Sequence, residues 1–368
     1  MIPFLAVLLM FAETPKSSAP ADAQRFANIS KQAGEAREQE RLDEAVRLYR
    51  EAVRLRPEWK EGWWYLGTMF YDQDRYEEGR AALRRFTVLD AKVASAWAFL
   101  GLCEHQLKEY EQALVHLKRA IALGLDETSH LSTVTQYHAA LLLTRSGQFE
   151  GALEVLGRLA QRSEDSPAMV EAAGIAGLRK PLLPIELPPS DRELVLQVGR
   201  AVWDTGARRM SQAQKEFENL AANYPKTPNI HYLFGSFLIL SDPDAGLLEL
   251  KKELEVSPQS VPALLQIAFE YLRRSDAATA LPYARQAAEI EPESFVAHNA
   301  LGRALAESGD LEGGIRELEM SKKQAPGSPQ TRIALASAYA KVGRNEDAAR
   351  ERAEFLKLKQ LAKKPGEQ

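Results

Sequence analysis

Residues 261–328 read VPALLQIAFEYLRRSDAATALPYARQAAEIEPES and then FVAHNALGRALAESGDLEGGIRELEMSKKQAPGS. Laid over each other with a shift of 34, the two halves match column by column. Ile267 falls on Leu301, Ala268 on Gly302, Tyr271 on Leu305, Ala280 on Gly314 and Pro292 on Pro326. One unit further on, Leu335, Ala336, Tyr339 and Ala348 enter the same columns. A fixed period of this length is the mark of a stacked array in which each repeat is one supersecondary unit. Each unit predicts two antiparallel helices, so the chain is expected to be all-α. Positions 7 and 11 share one face of the first helix. Small residues at positions 8 and 20 let the helices approach. A proline at position 32 stops the second helix and turns the chain into the next unit.

Period and columns resemble the tetratricopeptide repeat (TPR). The resemblance implies a right-handed superhelical solenoid of antiparallel helix pairs, with about nine repeats in two arrays. It also implies that positions 2, 5, 9, 12 and 13 of the first helices face a concave groove. Carried onto this sequence, those positions offer Trp64, Thr68, Tyr71, Leu102 and His105 in the first array. In the second they offer Phe269, Arg273, Asn299, Arg303, Glu307, Ser337 and Lys341. Aromatic and Arg side chains in such a groove are the usual anchors of a bound peptide or helix. The TPR variant that clamps a C-terminal carboxylate is not matched, because its Lys, Asn and Arg sites read Ser30, Gly34, Tyr65, Ser95 and Phe99.

Outward from the central stretch, the chain divides as follows. Residues 1–23 form a signal-like leader: 2–12 are uninterruptedly apolar, too short to span a bilayer, and Ala-x-Ala sites follow at 19–21 and 21–23. A basic n-region is missing. Residues 24–162 hold about four repeats, with Ala33, Gly67 and Gly101 at position 8. Tyr49, Leu83 and Leu117 stand at position 24, and Trp63 and Trp97 at position 4. Residues 163–192 read as a helix without a partner, then a connector with four prolines in 181–189 that favours an extended path. Residues 193–364 hold about five repeats, the last helix being charged enough to cap the open end. Residues 365–368 are a tail.

Composition narrows the function. At 45% hydrophobic and 27% charged the chain belongs with folded proteins. A net charge of -4 gives no bias toward nucleic acid or an anionic membrane. The single cysteine, Cys103, excludes an internal disulfide and multi-cysteine metal sites and reads as packing. The six histidines form no metal-binding pair, and no phosphate loop or nucleophile elbow is present. His298, in the Trp column, reads as an interhelical packing residue. No catalytic residue, metal or cofactor is expected. The expected function is a non-catalytic scaffold that holds a protein or peptide in a groove, serving assembly of an envelope or secretion complex. Two alternatives are carbohydrate binding at the cell wall through Trp64, Tyr65 and Tyr71, and service as a regulatory subunit of an enzyme. The leader points to an exported protein, periplasmic or extracellular, with the cytoplasm as the alternative.

Overall fold

The computed structural model describes residues 19–162 and 165–362. The leader up to residue 18 and the tail 365–368 lie outside the described residues, while 19–23 form the start of the first helix. The described residues contain helices and no strand. Two compact units are distinguished, Met1–Leu143 and Thr144–Gln368. The first holds α1 (Ala19–Glu38), α2 (Leu42–Leu55), α3 (Lys60–Asp72), α4 (Tyr76–Leu89), α5 (Ala94–Gln106) and α6 (Tyr110–Leu123). It also holds most of α7 (His130–Arg145). The second holds α8 (Phe149–Ala160), α9 (Pro167–Gly177), α10 (Arg192–Gly206), α11 (Met210–Asn223), α12 (Ile230–Leu238) and α13 (Pro243–Val256). It continues through α14 (Val261–Arg273), α15 (Ala277–Ile290), α16 (Phe295–Glu307), α17 (Leu311–Gln324), α18 (Pro329–Lys341) and α19 (Asn345–Ala362).

Within each unit the helices pack as consecutive antiparallel pairs, and first helices of neighbouring repeats touch: α3 on α5, α14 on α16, α16 on α18. The sequence pattern makes them helices by giving each one an apolar stripe. In α2 the buried residues are Ala45, Val46, Leu48, Tyr49, Ala52 and Val53, spaced at helical intervals on one face. The small residue at position 8 turns out to be a socket for position 24 of the same repeat. A Cβ on Gly67 would lie 2.6 Å from Leu83 Cγ, and one on Gly302 would lie 2.7 Å from Leu318 Cγ. Gly101 with Leu117 repeats the arrangement at 2.8 Å, and Gly235 does so at 2.7 Å with Leu250, one position earlier because its repeat is one residue shorter. Knob and socket are therefore one feature read twice in the sequence.

Position 4 has a role beyond packing. The turn at position 32 leaves a backbone carbonyl that needs a donor. Position 4, six residues on, supplies it. Trp63 Nε1 donates to the Pro57 carbonyl at 2.8 Å, and Trp97 Nε1 to that of Ala91 at 2.9 Å. In the second unit His231 Nε2 meets the Pro225 carbonyl at 3.1 Å and His298 Nε2 that of Pro292 at 2.8 Å. Arg332 Nη2 reaches Pro326 at 2.8 Å. Where position 4 is Leu264, Gln286 of α15 serves Pro258 instead, at 3.0 Å. His298 is thus an interhelical residue, as read, and also a latch on the turn.

The helix expected to lack a partner has one. α9 packs against α10 where Gly174 meets Gly199, backbone on backbone. A Cβ on Gly174 would fall 1.8 Å from the Val195 carbonyl oxygen, and one on Gly199 2.0 Å from that of Val170. The segment after α9 is not uniformly extended either. It makes two single 3-10 turns, Pro184–Glu186 and Pro189–Asp191. Leu183 and Leu187 are buried, and Leu187 joins the core of α10–α13 while Ile185 stands 92% exposed. Glu186 accepts from the Leu183 amide at 2.8 Å, and Lys180 pairs with Asp191 at 2.8 Å. The prolines stop a long helix, but alternating leucines pin the path to the surface beneath it.

Candidate functional site

The residues assigned to the groove fare differently in the two units. In the first, Trp64 sits between Phe86 and Phe99, with ring centroids 5.6 and 5.8 Å away. Tyr71 sets its edge against Phe99 and Tyr76 at 5.2 and 5.8 Å. Thr68 spends its hydroxyl on the Trp64 carbonyl of its own helix, at 3.1 Å. Leu102 is only 2% exposed and packs with Ala113, Leu117, Ala139 and Leu142. It is a core residue and not a surface contact, because position 9 of α5 is covered by α7. His105 lies against His138 at 4.6 Å and Tyr110 at 5.7 Å.

The second unit keeps an opening. A cleft of about 620 Å³ lies across α14, α16 and α18. Arg303, Glu307, Ser337 and Lys341 all line it, so the structure brings together four of the seven residues read from that array. Its floor is apolar, from Leu272, Ala306 and Ile333 among others. A second hollow of about 530 Å³ shares Ile333, Ser337 and Lys341 and adds Arg352 of α19. Phe269 and Arg273 do not line either. The Arg303 guanidinium lies 5.9 Å from the Phe269 ring, and Arg273 is spent on Glu270 of its own helix at 2.7 Å. Asn299 is a correction of the same kind as Leu102. At 5% exposure it points inward and donates to Thr331 Oγ1 at 3.2 Å, in a buried network with Ser321 and Ser328.

Ile333 and Arg352 are among the lining residues that the sequence reading did not name. Ile333 occupies position 5, one of the groove positions, and is 44% exposed. The positional rule could have found it. Arg352 comes from a second helix, which that rule does not cover.

The cleft and the adjoining hollow are bordered by more cations than carboxylates. Arg303 faces Glu307 at 3.9 Å. Lys341 and Arg352 have no ion pair or hydrogen bond among the described residues. Elsewhere, titratable groups are buried in both units. In the first, burial and then the neighbouring His138 push His105 down to about 4, and neither of its ring nitrogens has a hydrogen-bond partner. Burial also lowers His138 and raises the Cys103 thiol to about 12. In the second, Glu216 faces Asp204, which is fully buried. Burial and then that neighbouring charge raise Glu216 to about 7, against the opposing pull of Arg200 and Arg209. Arg209 holds Asp204 at 2.7 Å and Asp165 at 3.0 Å.

Among the described residues no three His, Cys, Asp or Glu side chains gather as a metal site, and no helix is long and apolar enough to cross a membrane.

Comparison with known proteins agrees with the repeats. One profile of the tetratricopeptide repeat matches residues 31–92 and 70–127, and another matches 271–330. No curated protein matches the chain by sequence. Among solved structures, a crystal structure of MamA is 15% identical, with a TM-score of 0.40 over 45% of this chain and 97% of its own. MamA 41-end from Desulfovibrio magneticus RS-1 is 19% identical, with a TM-score of 0.41 over 45% and 94%. YrrB, titled a TPR protein with an unusual peptide-binding site, is 16% identical, with a TM-score of 0.38 over 43% and 82%. The 34-residue columns, the helix pairs they build and the two matched profiles make this chain a tetratricopeptide-repeat protein.

Proposed function

We propose that the protein is a non-catalytic interaction scaffold that holds a segment of a protein partner against the first helices of its second unit. The observation that carries this reading is the cleft over α14, α16 and α18. It combines an apolar floor with Lys341, and the adjoining hollow adds Arg352; among the described residues neither cation has an ion pair or hydrogen bond. Those are the ingredients of a peptide groove, where aliphatic contacts give affinity and charges fix register. Its volume suits one or two side chains of a bound segment. The first unit is the scaffold's closed part, since its aromatic side chains take one another as partners. That also weighs against the sugar-binding alternative. Tyr65 has the Arg37 guanidinium 3.8 Å above its ring, and Trp64 is enclosed by Phe86 and Phe99.

A photo-crosslinking residue at position 337, introduced in the full chain in its native host, tests the reading. One discrete adduct is expected from that site and none from an exposed control such as Glu312 on α17. Equal labelling from both positions, or none, would sink it.

The apolar run at 2–12 and the Ala-x-Ala sites after it support a place outside the cytoplasm, in assembly of an envelope or secretion complex. Fractionation with mass spectrometry of the native N-terminus decides this. A chain starting near Asp22 or Gln24 in an extracytoplasmic fraction is the expected result. An intact Met1 in the cytoplasm overturns it.

A further inference from the structure

We infer that the cleft of the second unit selects an acidic segment carrying an aliphatic side chain; this rests on the peptide-scaffold reading and deepens it. Three cations border the cleft and its continuation, Arg303, Lys341 and Arg352, against one carboxylate, Glu307. Glu307 stands 3.9 Å from Arg303, and among the described residues Lys341 and Arg352 have no ion pair. The chain as a whole carries -4, so this face is positive against the general trend. Many other cations of the second unit are neutralised close by. Arg273 and Arg274 hold Glu270, Lys322 and Arg332 hold Glu351, and Arg344 and Arg350 hold Asp347. Cations left free around a hollow are complementary to a partner's carboxylates.

The apolar half of the requirement comes from Ile333. It is 44% exposed on α18 and lines both hollows, sharing the first with Leu272 and Ala306 and the second with Lys341 and Arg352. An aliphatic side chain laid there would cover it, and Ser337 beside it leaves room because its side chain is short. A basic segment would meet Lys341 and Arg352 head-on. A wholly polar acidic segment would leave Ile333 and the floor in water. The chemistry that satisfies both is an aliphatic residue flanked by Asp or Glu.

The test is selection of a random dodecapeptide library on the full chain, on Lys341→Glu/Arg352→Glu, and on Ser337→Trp. All three substituted residues are exposed, so the fold is expected to hold, and far-ultraviolet circular dichroism checks it. The expected peptides combine Asp or Glu with Leu, Ile or Val. They bind the charge-reversed variant at least tenfold more weakly, and Ser337→Trp, which fills the cleft, weakens them similarly. Raising the salt weakens them on the native chain as well. Peptides recovered without acidic enrichment, or bound equally by both variants, overturn the inference while leaving a peptide scaffold in place. Recovery of no peptide by the native chain overturns both.

Discussion

The two units are made from one repeat and finish it differently. In the first, the face of the first helices is closed by Trp64, Tyr71 and Phe99 packed on one another, and position 4 is Trp. The second helices begin at Arg41, Arg75 and Glu109, which give no side-chain cap. In the second, the same face is lined by Ala, Ser and long charged chains, and the position-4 latches are His231, His298 and Arg332, with Leu264 the exception. Its later second helices begin at Asp242, Asp276 and Asp310, each capping an amide. The shared columns set the backbone. The free columns decide whether a repeat fills its own groove or leaves it for a partner. Four measurements can break or sharpen that contrast.

The largest effect is expected at the glycine contact between α9 and α10 of the second unit. Gly174→Ala forces a methyl to within 1.8 Å of a backbone oxygen, so α9 must separate from α10. A loss of about 3 kcal/mol or more is expected in urea unfolding. Gly34 in α1 is the control, since nothing lies within 4 Å of its added Cβ. Gly34→Ala should stabilise by roughly 0.5–1 kcal/mol through helix propensity. Similar losses from both would show that the α9–α10 contact is not a tight one.

Position 4 comes next. His231→Phe removes the donor to the Pro225 carbonyl and a partner of Glu249, which is 7% exposed and keeps only Lys252. A loss of about 2 kcal/mol is expected. Trp97→Phe removes one hydrogen bond to a more open carbonyl and should cost about 1 kcal/mol. The reverse order would mean that ring packing, and not the latch, holds this column.

Acid and base should act on the two units with opposite signs. His105 is held at about 4 in the fold against 6.5 when unfolded, so the unfolded chain binds more protons between those values. Its contribution is complete above pH 6.5 and is lost as pH falls toward 4. Screening at a side chain that is only part-buried leaves about 1–2 kcal/mol of it. Glu216 is raised from 4.5 to about 7, so here the folded chain binds the extra proton. Its contribution is complete below pH 4.5 and is lost as pH rises through 7. Reaction of Cys103, the sole cysteine and a buried one, with a dipyridyl disulfide in urea reports the first unit. Its midpoint should fall from pH 7 to pH 5, and His105→Phe should flatten the change. Amide exchange across α11, corrected for intrinsic rates, should show protection falling over the same rise in pH, with Glu216→Gln removing the dependence. Slopes of the same sign in both units would contradict the placement of one of these groups.

Much of this architecture was legible because it is written as a period. Prolines such as Pro292 and Pro326, the small residues at positions 8 and 20 and the stripe at 7 and 11 are constraints of contact between neighbours in sequence, and they recur. What the sequence hid depends on contacts across the period. Leu102 and Asn299 sit in groove columns yet face inward, because α7 covers one and the Thr331 hydroxyl draws in the other. Arg352 reaches the hollow beside the cleft from a helix whose columns carry no groove rule. The partner of α9 was hidden because Gly174 and Gly199 show no pattern in sequence until backbone meets backbone.

The smallest effect concerns a column that residue chemistry conceals entirely, position 15, in the turn between the two helices of a repeat. The chain is left-handed there in repeats of both units, whatever the residue, though not in the turn between α12 and α13, where Asp242 has φ of -135°. Glu40, Asp74 and Lys108 take φ of 57°, 57° and 62° in the first, and Arg208 and Ser275 take 61° and 60° in the second. Gly309 and Gly343 hold the same place with φ of 103° and 76°. A side chain in this conformation costs about 1 kcal/mol or more that glycine escapes. Against this, glycine loses more backbone entropy on folding. Lys108 is exposed and without an ion pair, so Lys108→Gly isolates the conformational terms. A net gain of about 0.5–1 kcal/mol is expected in urea unfolding followed through Cys103. The reverse change, Gly309→Lys, should cost the second unit a similar amount. If both changes are neutral, the turn bends freely enough to relieve the side chain, and the first unit's lack of glycine at this column carries no penalty. If both move as stated, the first unit has kept side chains at a strained turn that the last repeats of the second unit have relieved.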